Sequence, residues 1–362
     1  MTRKTKTVLI SVCLLLTVTV VYAFAAAGGS SDPLASLSYL TGTFTDAVDQ
    51  QVEEKLDVSD QAILDGDTDL TGGTAATWTE SRLKEADTLT GSTGTGVLVL
   101  AGGVQVTFGS GAVVDVTTGT TVSSGSALTT NHRYLVAEDT TAVFTVTSKT
   151  AVVDYQGPYA FQYSSATDYN AMAAALKTIH LFQGSSTGYG DGYDLEVAPT
   201  RMQALIMFIR VLGEEDEALS YTGTCPFQDV AAGSQSAKYA GYAYSKGYTN
   251  GYSATQFKPA GAVNAYQYTE FVLRAMGYSS ASNTNLSDTL ERAVSCGVLT
   301  AGESAMLQSD PFLRAELVYI SYYALDAITA SGVTLASELE SKGVFTSGEL
   351  ESARSMVSSW RL

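Results

Sequence analysis

Thr200-Arg201-Met202-Gln203-Ala204-Leu205-Ile206-Met207-Phe208-Ile209-Arg210-Val211-Leu212-Gly213 reads as one amphipathic helix. Leu205, Phe208, Ile209 and Leu212 recur at the three-and-four spacing of a single helix face, and Gly213 is placed to end it. The pattern returns twice. Asn264-Ala265-Tyr266-Gln267-Tyr268 runs to Ala275-Met276-Gly277, with Tyr268, Phe271, Val272, Ala275 and Met276 on its apolar face. Leu313-Arg314-Ala315-Glu316-Leu317 runs to Ala324-Leu325-Asp326, with Leu317, Ile320, Tyr323 and Ala324 in the matching positions. In each copy twelve residues separate the second position from the terminal Gly or its Asp substitute. Upstream of each lies an apolar segment ending in Gly: Leu181–Gly184, Gly247–Tyr252 around Gly251, and Gly297–Gly302. A repeat of about 50–60 residues predicts helical units that bury their faces on one another.

The middle copy carries further motifs in order. Pro226-Phe227-Gln228-Asp229-Val230 is followed by Tyr239–Gly247, Asn250-Gly251-Tyr252, Phe257-Lys258-Pro259 and the helix to Gly277. This resembles an S-layer homology repeat, whose pattern is aromatic-x-Asp-Val, a helix, a Gly-Tyr loop, Phe-x-Pro, then Thr-Arg-x-Glu opening a second helix. The likeness spans about residues 168–327 in three degenerate copies. The first lacks the aromatic-x-Asp-Val opening and the third lacks Gly-Tyr. The resemblance implies a pseudo-threefold helical unit over 160–330. Such a unit binds the pyruvylated secondary polysaccharide of a bacterial cell wall and holds the protein at the surface. Carried over residue by residue, the ligand-binding set is Thr200, Arg201, Gln203, Arg314, Glu316, Gly251 and Tyr252. Ala265 replaces the Arg in the second copy, and Gln203 replaces the Glu in the first.

Local chemistry bears on the same positions. Thr200 with Gln203, and Asn264 with Gln267, have the spacing of a helix capping box. Arg201 and Arg314 then fall at the first helical position, beside a partly positive helix N-terminus, where a cation is misplaced unless an anion sits there. A pyruvyl carboxylate is such an anion. Tyr252 is suited to stack on a sugar ring.

The segment from Leu89 to Gln156 has different chemistry. Thr fills 20 of the 80 positions from 71 to 150, and β-branched runs alternate with Gly and Ser, which predicts a small antiparallel sandwich or roll over 89–156. Val97–Leu100 and Val104–Phe108 flank Ala101-Gly102-Gly103, the paired glycines of a tight hairpin. Further strands are expected at Val113–Val116, Tyr134–Ala137, Ala142–Thr147 and Ala151–Tyr155. The fold class is therefore α+β and multidomain, a β module followed by helical repeats, with a C-terminal helical tail over 331–362.

Before the β module, Arg3, Lys4 and Lys6 precede an apolar run from Val8 to Val21 and small residues Ala23–Ala27, the form of a secretory signal over 1–27. Residues 28–88 are expected to hold a helix (Phe44, Val48, Val52, Leu56) and a flexible lead-in. The chain's formal charge is −17, and the three basic residues of the signal leave −20 on the remainder. So acidic a chain lacks the basic face a nucleic-acid binder needs. The membrane is met only through the signal before cleavage.

No catalytic residue, cofactor or metal is expected. His132 and His180 lack partners at metal-ligand spacing. Asp65-Gly66-Asp67-Thr68-Asp69 opens like a calcium loop, but Leu70 and Ala76 stand where Gly and Glu belong. Gly188–Gly192 lacks the Lys of a phosphate loop. Cys225 and Cys296 are left open between a disulfide and two thiols. The expectation is a non-catalytic, exported surface protein anchored to wall polysaccharide, with other surface-layer subunits as possible neighbours. The alternatives are a wall-glycan enzyme targeted by the repeats and a laterally assembling structural protein.

Overall fold

The computed structural model describes residues 70–187, 190–280, 282–283 and 285–362. The signal, the helix at 44–56 and the Asp65–Asp69 loop lie outside the described residues. The chain is α+β: an eight-stranded antiparallel sheet, then helices.

The β module comprises β1 (Leu70–Lys84), β2 (Thr88–Ser92), β3 (Gly96–Phe108), β4 (Ala112–Asp115), β5 (Thr120–Val122), β6 (Ser126–Ala127), β7 (Arg133–Ala137) and β8 (Thr141–Gln162). The main path runs β1-β8-β3-β7-β4-β5, with β2 on β8 and β6 on β3. Inward-facing Val97, Val99, Val104, Val106, Val136, Phe144, Val146 and Phe161 form its core.

The expected hairpin at Gly102-Gly103 does not form. β3 passes straight through it as one bent strand, and the segments at 142–147 and 151–155 are likewise one strand, β8. Residues Val104–Phe108 pair with 142–146, while Gly96–Gly102 pair with 151–156, and the register shifts between them. Gly102 has φ +80°, and a Cβ there would lie on the Thr150 carbonyl and 2.7 Å from Ala151 Cα. The glycines therefore make a bulge that carries the strand around a corner.

The module also begins earlier than expected, because residues 70–84 form a strand instead of a flexible lead-in. That stretch is polar on both faces, so no alternation marked it. It is held by contacts from elsewhere: Trp78 lies over Gly96, and the Arg133 guanidinium sits 4.7 Å from the Trp78 ring.

The helical region contains α1 (Tyr169–Thr178), a two-stranded ribbon β9 (Ser185–Thr187) and β10 (Gly190–Gly192), α2 (Arg201–Val211), α3 (Glu215–Leu219), α4 (Gln235–Ser245), α5 (Ala265–Ala275), α6 (Thr289–Ser295), α7 (Ala301–Ser309), α8 (Arg314–Ala324), α9 (Leu335–Ser341) and α10 (Ser347–Ser355). The three repeated helices are α2, α5 and α8. Their predicted apolar faces are buried, apart from the half-buried Ala275, and α2 packs on α5 and α5 on α8. Every residue of α8 is buried.

The helices preceding them end alike. His180, Gly247 and Gly297 take positive φ, and the next residue's N–H returns to the helix: Leu181 to Leu176 O, Tyr248 to Ala243 O, Val298 to Ala293 O. This closes the orphan carbonyls of each helix end. The tail holds α9 and α10, with α10 packed on α1. Cys225 and Cys296 are free thiols.

Candidate functional site

The aromatic-x-Asp-Val motif wires the middle copy's loops together. Asp229 Oδ1 accepts the Phe257 N–H at 2.8 Å and Oδ2 accepts the Lys258 N–H at 2.7 Å. Burial disfavours the Asp229 charge, but these two N–H groups and the field of Arg201 outweigh it and hold its carboxyl below the usual value. The two bonds fix Lys258 at φ +58°, a conformation that costs a non-glycine residue roughly 1–2 kcal/mol. Gly251 closes the adjoining turn at φ +76°, where any Cβ would meet the Phe227 ring. Phe227 and Phe257 pack at 5.5 Å beneath.

The start of α2 docks on this platform. Arg201 N–H donates to Gly261 O at 2.8 Å, Met202 N–H to Pro259 O at 3.1 Å, and Val263 N–H returns to Pro199 O. The Arg201 guanidinium lies 5.1 Å from the Phe257 ring centroid, and its Nε donates to Phe257 O at 2.9 Å. Its Nη groups have no hydrogen-bond or ion-pair partner among the described residues. Burial lowers the Arg201 pKa while Asp229 opposes that shift, and an arginine stays charged regardless.

Lys258 stands alongside. A Cβ on Gly261 would be 3.6 Å from both Arg201 Cδ and Lys258 Cβ, so the aliphatic stems of the two cations flank one bare glycine. Lys258 Nζ in turn sits 3.3 Å from the ring centroid of Tyr252, which is 62% exposed. The seam thus gathers Arg201, Lys258, Gly251 and Tyr252. Lys258 belongs to the Phe-x-Pro motif and lies outside the ligand-binding set the resemblance implies. A Lys in that motif was the available signal.

Two expectations require correction. The helix N-terminus offers no free N–H groups to an anion. Arg201 and Met202 N–H donate to the neighbouring loop, Gln203 N–H donates to Thr200 Oγ1 at 3.2 Å, and Thr200 N–H donates to Gln203 Oε1 at 2.9 Å. Thr200 and Gln203 are therefore engaged in capping each other. Glu316 is wholly buried instead of ligand-facing. Its Oε2 accepts the Leu313 N–H at 2.6 Å and its Oε1 pairs with Lys149 of the β module, which also reaches Asp310 at 2.7 Å.

Arg314 shows why. The backbone docking is the same as at Arg201: Arg314 N–H donates to Val197 O and Ala315 N–H to Leu195 O. Its guanidinium likewise lies over a ring, Phe182, at 5.8 Å. The residue matching Lys258 is Asp194, also at positive φ, and it pairs with Arg314 Nη1 at 3.1 Å. Arg314 is 6% exposed, so its charge is neutralised inside the protein. In the middle copy, Ala265 leaves no cation.

His132 bonds Asp115 at 2.7 Å and His180 meets Glu349 at 3.3 Å, both as single pairs. Among the described residues, no three His, Cys, Asp or Glu side chains gather as metal ligands would. The fold and site define an α+β chain whose helical part brings Arg201, Lys258 and an exposed tyrosine to one seam, where only the field of Asp229 offsets the arginine. No protein-family model matches the chain, and no curated protein matches it.

Proposed function

We propose that this chain is a non-catalytic, exported bacterial surface protein held to an anionic, pyruvylated wall polysaccharide by its helical repeats. One observation carries the reading. In a chain of net charge −17, Arg201 keeps its Nη groups unpartnered beside Lys258 and an exposed Tyr252. Two cations on one glycine suit a carboxylate, which an Arg fork and a Lys point charge would share. The tyrosine ring offers a face to the adjoining sugar. Overall charge opposes approach of an anionic polymer, so attraction must be local and salt-sensitive.

A pseudo-threefold arrangement of the three copies fits this reading. The start of α2 docks on the loop before α5, and the start of α8 docks on the loop before α2, which are two of the three contacts a cyclic order requires. Residues 1–27 would direct export and the β module would project from the anchor.

The test is co-sedimentation of residues 28–362 with purified walls, before and after mild acid removes pyruvate. Binding should depend on pyruvate and be lost in Arg201→Ala. Equal retention on stripped walls would refute the reading.

A further inference from the structure

The sheet of the β module ends in two unlike edges. One is β5, only three residues long. The other is β1, which is 15 residues long and has no described strand beyond it. β1 runs antiparallel to β8 along its length. A Cβ on Gly72 would lie 3.0 Å from Tyr159 O, Gln156 Nε2 donates to Ala76 O at 3.0 Å, and Glu85 N–H, just past β1, donates to Lys149 O at 3.2 Å. One margin of β1 is thereby paired, and the other directs its N–H and C=O groups outward.

An open edge of that length is a template for another strand, and proteins blunt such edges by shortness, Lys, Pro or a covering element. β5 is blunted by its shortness. β1 carries none of these devices over its first ten residues. Leu70-Thr71-Gly72-Gly73-Thr74-Ala75-Ala76-Thr77-Trp78-Thr79 holds no charge and no proline, and its threonines and Trp78 favour extended backbone. Gly72, Gly73, Thr74, Ala76, Thr77 and Thr79 are exposed, so no described element covers the stretch. The first charges after it, Glu80 and Arg82, pair with each other at 2.7 Å.

We infer that β1 is the pairing edge of a two-fold dimer, in which β1 of a second copy lies antiparallel along it. Ten residues of strand span about 34 Å, and antiparallel pairing over that length makes about ten hydrogen bonds, as many as a typical protein interface carries. In a chain of net charge −17, an uncharged stretch is where two copies approach with least repulsion. Self-pairing sets threonine and alanine against their like and opposes no charges. The contact closes on itself, because each copy then has no long sheet edge left among its described residues. The inference rests on the β module alone and stands whether or not the helical repeats bind a wall polymer.

Sedimentation velocity on residues 28–362 tests it. A monomer–dimer equilibrium in the micromolar range is expected, tightened by salt as repulsion is screened. Thr74→Lys with Thr77→Lys puts a hydrated cation on each face of the edge. It should weaken dimerisation at least about tenfold, although it reduces the magnitude of the net charge. Neighbouring residues of a strand direct their N–H groups to opposite margins, so of Ala76→Pro and Thr77→Pro one removes a donor to β8 and the other an outward donor. The variant that melts like wild type should be monomeric. Hydrogen exchange of β1 amides should slow as protein concentration rises. A chain that stays monomeric up to about 100 μM would overturn the inference. So would open-ended assembly, or a dimer unaffected by the two lysines and by both prolines.

Discussion

Arg201 is held twice by one residue: its guanidinium stacks 5.1 Å from the ring centroid of Phe257, and its Nε donates to the carbonyl of that same Phe257 at 2.9 Å. Phe257 is fully buried and its N–H is tied to Asp229, so the guanidinium is aimed by a rigid part of the middle copy. Arg201 forms no ion pair among the described residues and only the field of Asp229 offsets its part-buried charge, which is what makes the seam a candidate site.

The two repeat arginines should separate cleanly on mutation. Arg201→Ala removes a stacking contact and one hydrogen bond, so its cost in stability is about 1 kcal/mol, while wall retention falls at least about tenfold. Arg314→Ala removes the nearly buried cation paired with Asp194 and should cost about 3 kcal/mol with little direct effect on binding. Urea unfolding and wall sedimentation of both variants check this.

Gly251→Ala should be among the most damaging single-methyl changes. The new Cβ meets the Phe227 ring, comes within 2.7 Å and 2.8 Å of the Ser253 and Gln256 carbonyls, and forces alanine to φ +76°. A loss of at least about 2 kcal/mol is expected. Thermal melting measures it, and reduced wall binding should follow the displaced Tyr252.

Lys149 should prove to be the clasp between the β module and α8. Lys149→Met leaves Glu316 buried without its cation, at a cost of about 3 kcal/mol. Glu316→Gln in the same chain should recover part of that loss, because the amide oxygen still accepts the Leu313 N–H. A double-mutant cycle in urea reads the recovery.

Stability should fall at both ends of the pH scale. Lys149 lowers Asp310. Burial works against the Glu215 charge, but Arg210 and Tyr239 outweigh it, and Asp229 is lowered as described. Carboxylates lowered in the fold contribute fully above their ordinary values of 3.8 to 4.5 and lose that contribution as pH drops through the lowered values. Asp229→Asn should flatten the acid limb of a melting-temperature profile. Burial pushes Tyr155 and Tyr169 up to about 12, so their contribution is complete below 10.0 and disappears as pH rises toward 12. Tyrosinate absorbance should therefore lag the residue count until the alkaline transition.

The apolar spacing of α2, α5 and α8, and the glycines that end the first two, were legible in the sequence because helix periodicity and helix termination are local. So was the alternation of Val104 and Val106. The bend at Gly102-Gly103 was not, because a glycine pair serves a hairpin or a bulge equally well. Only pairing with residues 142–156 decides between them. Strand β1 was invisible for the same reason, since its partners lie in β8 and its cover comes from Gly96 and Arg133.

The sequence by itself determined that arginines stand at the same position of two repeated helices. Only the tertiary structure decided their fates. Arg201 has Lys258 at the facing loop position and forms no ion pair among the described residues, whereas Arg314 has Asp194 there, 120 residues away, and is paired. Charge neutralisation acts through space at a few ångströms, and chain position does not report which residue will occupy that space.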